Sequence, residues 1–114
     1  MILLIYKGHN LSKLSSMKIT VPQKRIAEFC EKHGIRTLSF FGSVLRDDFN
    51  PDSDIDVLVE FEIDQVPGFI GLAGMESELS EILGGRKVDM RTPQDLSELF
   101  RQKVVSEAEV LYAA

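Results

Sequence analysis

The feature that most constrains this chain is the spacing between two short motifs. Gly42-Ser43 is followed, after ten intervening residues, by Asp54-Ile55-Asp56. Residues 36–41 predict a strand that ends at the glycine, and residues 50–53, Asn-Pro-Asp-Ser, are rich in turn formers. A second strand is predicted over residues 54–61, so the two motifs belong to one strand–turn–strand unit.

The two aspartates lie on one face of the second predicted strand. Alternation with a period of two places Asp54 and Asp56 together, opposite the apolar side chains of residues 55–61. Like charges this close raise the pKa of a carboxyl unless a cation balances them. The sequence has no Lys or Arg between Arg46 and Arg86. A bound divalent metal is therefore the more economical counterion, and carboxylate oxygens suit Mg²⁺.

The Gly42-Ser43 pair fits a turn that binds phosphate. Glycine lets the backbone approach a ligand closely, and backbone N–H groups at a following helix start can hold an anion together with the serine hydroxyl. Arg46 lies one turn further on and can reach the same anion. Each motif alone is also explained by an ordinary polar turn. The combination arises by chance in about one chain in a thousand of this length, so the spacing favours a functional site.

A third carboxylate is predicted on the next strand, over residues 86–91. Val88 and Met90 point to the apolar side, so Asp89 faces the side that a metal site would use, together with Lys87 and Arg91. The alternative is a solvated strand aspartate. Five further aspartates are predicted to be loop or cap residues: Asp47, Asp48, Asp52, Asp64 and Asp95.

Helical periodicity accounts for most of the remaining chain. Helices are predicted over residues 22–33 and 69–83, with Cys30 in the core and His33 capping or partly packed at a helix end. A last helix is predicted to carry one apolar face made of Leu96, Leu99, Phe100, Val104, Ala108 and Leu111. The order helix–strand–strand–helix–strand–helix indicates an α/β or α+β fold with helices against a small sheet.

Length and charge limit the classes of function. A chain of 114 residues fits one domain. Its net charge of −5 disfavours a protein that grips nucleic-acid backbone, because phosphate contacts usually need a basic face. A single cysteine cannot form an internal disulfide, and the apolar residues 1–6 are too short to span a bilayer and lack the features of a secretory signal. A cytoplasmic location is expected.

Three segments resemble a known family. Residues 41–46 (Phe-Gly-Ser-Val-Leu-Arg), 53–59 (Ser-Asp-Ile-Asp-Val-Leu-Val) and 87–90 (Lys-Val-Asp-Met) are similar to the minimal nucleotidyltransferases of the polymerase-beta superfamily. More narrowly, the chain resembles the MNT antitoxins of HEPN–MNT toxin–antitoxin pairs. The resemblance covers about residues 18–114 and implies a small mixed β-sheet flanked by helices. We therefore expect an N-terminal extension over residues 1–16 and a nucleotidyltransferase domain over residues 17–114.

The resemblance also implies the members of the site. Two Mg²⁺ ions would be held by Asp54, Asp56 and Asp89. The phosphates of ATP would lie over the nucleotide-binding residues, which are Gly42, Ser43, Arg46 and Ser53. Asp47 stands where related transferases often carry a small residue, so the loop after Arg46 is expected to differ from theirs.

The activity implied is transfer of AMP from ATP to a hydroxyl, with release of pyrophosphate. In the antitoxin branch the acceptor is a tyrosine of the HEPN ribonuclease toxin, which is silenced, so a hetero-oligomer with that toxin is expected. Direct contact with nucleic acid or with a membrane is not expected. Two alternatives remain open at this point: a non-catalytic antitoxin that acts by binding its toxin, and a transferase that modifies a small molecule or an RNA end.

Overall fold

The computed structural model of this protein describes residues 19–47 and 49–114. The expected N-terminal extension, residues 1–16, and the predicted loop residue Asp48 lie outside the described residues. The elements follow one another along the chain as α1 (Gln23–His33), β1 (Ile35–Phe41), a 3-10 helix (Gly42–Leu45), β2 (Ile55–Phe61), α2 (Phe69–Ile82), β3 (Val88–Arg91), a second 3-10 helix (Pro93–Asp95), α3 (Glu98–Glu107) and β4 (Glu109–Ala113).

The strands of the described residues form one mixed sheet in the order β3-β2-β1-β4. Strand β1 pairs antiparallel with β2 and with β4, whereas β2 and β3 are parallel. A parallel pair needs a crossover connection, which α2 supplies. The mixed sheet flanked by helices confirms the predicted fold class. None of the helices among the described residues is long and apolar enough to cross a membrane.

Helices α1 and α2 cover one face of the sheet and build the main core. Ile26 of α1 and Leu79 of α2 are fully buried with the inward side chains of β2. Helix α1 ends as predicted at Gly34, which adopts a left-handed φ of 66° and donates its N–H to the carbonyl of Cys30. Cys30 is fully buried, and burial raises the pKa of its thiol to about 12, so it packs rather than reacts. His33 is partly packed, as predicted, with its ring centroid 4.8 Å from that of Phe29.

Helix α3 covers part of the opposite face. A second apolar cluster, which was not predicted, forms there from Phe41, Leu58, Leu96 and Val104. The aspartates of β2 share this face, so the sequence pattern made the face look polar. In the structure it is apolar over its middle, and the aspartates lie towards the start of β2.

The predicted last helix is wrong over its second half. Helix α3 ends at Glu107, and Ala108 turns the chain into β4 with an extended backbone (ψ 144°). Leu99 is 83% exposed, so it does not share a buried face with Leu111, which is fully buried in β4. The physical reason is that β4 pairs with the edge of β1, from Phe40 to Thr37, and satisfies backbone groups that a helix would have left unpaired.

Candidate active site

The three predicted carboxylates come together on neighbouring strands. In β1, Phe41 is paired with Asp56 of β2, and Asp56 is paired in turn with Asp89 of β3. Asp54 directly precedes β2. Because adjacent strands lie about 4.8 Å apart, the carboxylates of Asp56 and Asp89 share one face at close range.

The negative charges of Asp89 and Asp54 act on the carboxyl of Asp56. Burial is the largest cause that raises its pKa, followed by the negative charges of Asp89 and Asp54. Arg91 and Arg46 act in the opposite direction and only partly offset this effect. The anionic form of Asp56 is therefore less stable than in water, which is the condition that an added cation relieves.

Gly42 is the point where the backbone meets this carboxylate. It adopts a φ of 74°, and a Cβ placed on it would lie 2.3 Å from Oδ2 of Asp56. Any side chain at this position would therefore clash with Asp56 as well as strain the backbone. The hydroxyl of Ser43 donates a hydrogen bond to the carbonyl oxygen of Asp54 at 3.5 Å. The spacing of the two motifs thus has a structural basis, because the Gly-Ser turn folds directly onto the start of β2.

The two supporting residues differ in their placement. Arg46 follows the first 3-10 helix, is exposed, and lies close enough to Asp56 to lower the pKa of its carboxyl. Ser53 is part of the turn before β2: its hydroxyl accepts a hydrogen bond from the N–H of Asn50 at 3.1 Å, and its own N–H donates to the carbonyl of Asn50 at 2.9 Å. Ser53 therefore shapes the turn, and its contact with a nucleotide stays a prediction.

The inference that no Lys or Arg balances the aspartate pair is wrong. Arg91 holds Asp89 with hydrogen bonds that include Nε to Oδ1 at 3.2 Å and Nη2 to Oδ2 at 3.3 Å. Lys87 brings its Nζ to 3.8 Å from Oδ2 of Asp54. These cations lie outside the interval between Arg46 and Arg86, but β3 carries them beside β2. The alternation of residues 87–91 placed both cations on the face of Asp89, but it did not show that β3 lies beside β2, which brings them to the aspartates.

The donor chemistry of the site and the arrangement of its side chains bear differently on a metal. Within residues 19–47 and 49–114, no three His, Cys, Asp or Glu side chains are arranged so that they could hold a metal ion together. By its chemistry the donor set fits a hard divalent cation, since it offers only carboxylate oxygens and includes one carboxylate destabilised by like charges. Arg91 occupies part of the hydrogen-bonding capacity of the Asp89 carboxylate in this structure.

Two clefts of about 330 Å³ each adjoin these residues. The first, which we call the acidic cleft, has Asp56, Asp89, Arg91 and Phe100 in its walls, together with Asp95. Asp95 is also a cap residue, as predicted, since its Oδ2 accepts a hydrogen bond from the N–H of Thr92 at 3.1 Å.

The second, which we call the glycine cleft, has walls that include Gly42, Arg46, Ser106, Glu107 and the buried Glu109. Helix α3 contributes to the acidic cleft near its start and to the glycine cleft at its end. The sequence did not place α3 beside the site, because its predicted role was a buried apolar face.

The fold and the site define the class of this protein. Residues 23–112 match the family described as "Nucleotidyltransferase domain". That range spans most of the chain and includes both motifs, so the chain belongs to this family and is a nucleotidyltransferase. Its relatives place it more narrowly among the minimal nucleotidyltransferases, which confirms the resemblance found in the sequence.

Two curated relatives carry names that state an activity. A protein of Methanocaldococcus jannaschii, named as a protein adenylyltransferase, is 34% identical over 92 residues, which cover 81% of this chain and 96% of the relative. The protein adenylyltransferase MntA of Thermococcus cleftensis is 34% identical over 80 residues, covering 70% of this chain and 78% of MntA.

Solved structures show the same architecture. A structure described as a minimal nucleotidyltransferase aligns with a TM-score of 0.62 at 32% identity and covers 75% of this chain and 85% of that chain. A toxin–antitoxin structure determined with AMP-PNP aligns with a TM-score of 0.66 at 19% identity, over 82% of this chain and 74% of that chain. At this lower identity the likeness shows the shared fold.

Proposed function

We propose that this chain is a Mg²⁺-dependent protein adenylyltransferase that acts as an antitoxin. It transfers AMP from ATP to a tyrosine of a HEPN ribonuclease toxin and thereby silences the toxin. The observation that carries the proposal is the contact at Gly42, where the backbone of the Gly-Ser turn lies against the carboxylate of Asp56. The names of the relatives from Methanocaldococcus jannaschii and Thermococcus cleftensis support protein adenylylation as the reaction.

Each site residue has a role in this proposal. Asp54, Asp56 and Asp89 hold two Mg²⁺ ions, which neutralise charge on the phosphates when bound. Gly42 and Ser43 receive the phosphates of ATP. Arg46 adds a positive charge from the glycine cleft, and Ser53 supports the nucleotide site through the turn that leads into β2.

The reaction needs positioning more than covalent chemistry by the protein. The tyrosine oxygen attacks the α-phosphorus of ATP, and the bond from that phosphorus to the oxygen of the β-phosphate breaks. Pyrophosphate leaves with the electron pair of that bond, and a carboxylate of the site takes up the hydroxyl proton. Because the reaction consumes ATP, we place this chain and its partner toxin in the cytoplasm.

The test is a transfer assay with purified proteins. The chain is incubated with ATP and MgCl₂ and with the small protein encoded by the adjacent reading frame, and the mass of that protein is measured. We expect the addition of AMP, its loss in the Asp56→Asn variant, and its retention in Asp52→Asn, which removes an equal charge from the exposed turn before β2.

Two other results would contradict the proposal. If no AMP is added while the Asp56→Asn variant still inhibits the partner, the chain is a non-catalytic antitoxin that acts by binding. If label from ATP appears on small molecules or on RNA ends but not on the adjacent protein, the acceptor class is wrong. The net charge of −5 disfavours RNA as the acceptor.

A further inference from the structure

Helix α3 exposes two consecutive apolar side chains, and the second of them lines the acidic cleft. Leu99 is 83% exposed and Phe100 is 49% exposed. Phe100 lines the same cleft as Asp56 and Asp89. Single exposed apolar residues are common on proteins, but an adjacent pair that borders a functional cleft is typical of a binding surface.

We propose that Leu99 and Phe100 form the docking platform for the protein acceptor. The acceptor inserts an aromatic side chain that carries a hydroxyl into the acidic cleft, between Phe100 and Asp89. This inference rests on the proposed function and adds the surface of this chain that selects the acceptor.

The walls of the acidic cleft suit an aromatic side chain with a polar tip. Its apolar part includes Phe41 and Leu96, both of which are largely buried, and the half-exposed ring of Phe100. Its polar part holds Asp56 and Asp89. An aromatic ring packs favourably against Phe100 in an edge-to-face arrangement, while its hydroxyl remains at the carboxylates.

The position of Leu99 distinguishes a protein acceptor from the adenine of ATP. A nucleotide in the acidic cleft could pack against Phe100, but Leu99 does not line that cleft and is 83% exposed, so a ligand confined to the cleft would leave Leu99 uncovered. The two clefts also adjoin opposite ends of α3, since Phe100 lines one, and Ser106 and Glu107 line the other. The nucleotide phosphates, placed over Gly42 with Arg46, and the acceptor thus approach the reaction from different sides.

The chain provides a matched control for this surface. Phe69 is 94% exposed and is the first residue of α2. It follows the C-terminal end of β2, whereas Asp56 lies near the N-terminal end of that strand. With about 3.3 Å per strand residue, the length of β2 places Phe69 on the order of 20 Å from the carboxylates. Phe69→Ala therefore removes the same side chain from an exposed site far from the acidic cleft.

The experiment measures initial rates of AMP transfer while the adjacent-frame protein and ATP are varied separately. We expect Phe100→Ala and Leu99→Ala each to raise the KM for the acceptor protein about tenfold, which corresponds to about 1.4 kcal/mol. The KM for ATP should not change in either variant, and Phe69→Ala should match the wild-type protein in both constants. If Phe100→Ala lowers the melting temperature, Leu99→Ala is the decisive variant for the platform, because Leu99 is 83% exposed and its loss should not affect folding.

Each other outcome identifies what is wrong. A higher KM for ATP with an unchanged KM for the acceptor would mean that Phe100 packs on adenine, and would overturn the platform. Equal behaviour of Leu99→Ala and Phe69→Ala would also overturn it. If the wild-type protein transfers no AMP to the adjacent-frame protein at any concentration, the proposed function itself fails, and the platform fails with it.

Discussion

Replacing Asp56 with Asn removes the negative charge that the structure places at the centre of the site. Asp56 faces Asp89 across two strands at about 5 Å, and each such pair of like charges costs about 1–3 kcal/mol, depending on the effective dielectric. Arg91 and Arg46 offset part of this cost. We therefore expect the metal-free Asp56→Asn protein to be more stable than the wild type by on the order of 1 kcal/mol, or roughly 4–6 °C in melting temperature.

The pH dependence follows from the direction of the pKa shift. The folded protein raises the pKa of Asp56, so the folded state binds a proton more readily than the unfolded state does. The charge therefore costs stability at neutral pH, and the cost disappears as the pH falls through the folded pKa. The advantage of Asp56→Asn over the wild type should be largest at neutral pH and should shrink under acidic conditions.

The assay is urea unfolding in EDTA and in MgCl₂, with AMP transfer measured in parallel. The Asn variant should gain stability in EDTA, should be stabilised less by Mg²⁺ than the wild type, and should lose transfer. Asp52→Asn, which changes an exposed aspartate of the turn, should leave all three quantities unchanged. A less stable Asp56→Asn protein in EDTA would refute the reasoning, because it would mean that the carboxylate stabilises the metal-free fold.

Three further substitutions test separate contacts. Gly42→Ala should destabilise the fold by about 1–2 kcal/mol and abolish AMP transfer. Gly85 has a similar φ of 88° but open space for a Cβ, so Gly85→Ala should strain the backbone and leave AMP transfer intact. Equal transfer activities of the two variants would contradict the clash seen at Gly42. Arg91→Gln should lower the Mg²⁺ concentration needed for half-maximal thermal stabilisation about two- to fivefold, because it releases Asp89 from its hydrogen bonds with Arg91. A higher Mg²⁺ concentration would mean that Arg91 assists metal binding. Burial raises the pKa of Glu78, but hydrogen bonds from Lys32 and His33 lower it by more, so the pKa is lowered overall. Glu78→Gln should therefore reduce the free energy of unfolding in urea at neutral pH, by less than about 1 kcal/mol. This contribution is present above the ordinary glutamate pKa and is lost as the pH falls through the lowered folded value, so a cost that persists below that value would exclude this origin.

The parts of the fold that could be predicted are those in which one residue pattern fits one structure. The alternation in β2 and the helical spacing ended by Gly34 each had a single reading. The C-terminal segment did not, because residues 109–112, Glu-Val-Leu-Tyr, continue the helical spacing of Val104 and Ala108 and also alternate as a strand. The unpaired edge of β1 decided in favour of the strand, and that edge is a property of the assembled sheet.

In the candidate site, too, features set by neighbouring residues could be predicted, and contacts between separate strands could not. The proximity of Gly42 to Asp56 was implied by their spacing, and Asp89 by the alternation of β3. The pairing of Arg91 with Asp89 and of Lys87 with Asp54 depends on how β3 docks beside β2, so it is not visible in the sequence interval between the two motifs.

These pairings give the metal-free protein a charge balance of its own. Three carboxylates gathered at one end of the sheet would repel one another, and the charges of Asp89 and Asp54 add to burial in raising the pKa of Asp56. Arg91 and Lys87 reduce it through exposed, flexible side chains, which can move away at little cost. Gly42, in contrast, fixes the backbone against Asp56 and cannot be replaced without a clash. Under the proposed function, such a site would keep its carboxylates in place before a metal nucleotide binds and would leave their charge available to it. Its rigid part is the glycine turn, and its exchangeable part is the pair of cations.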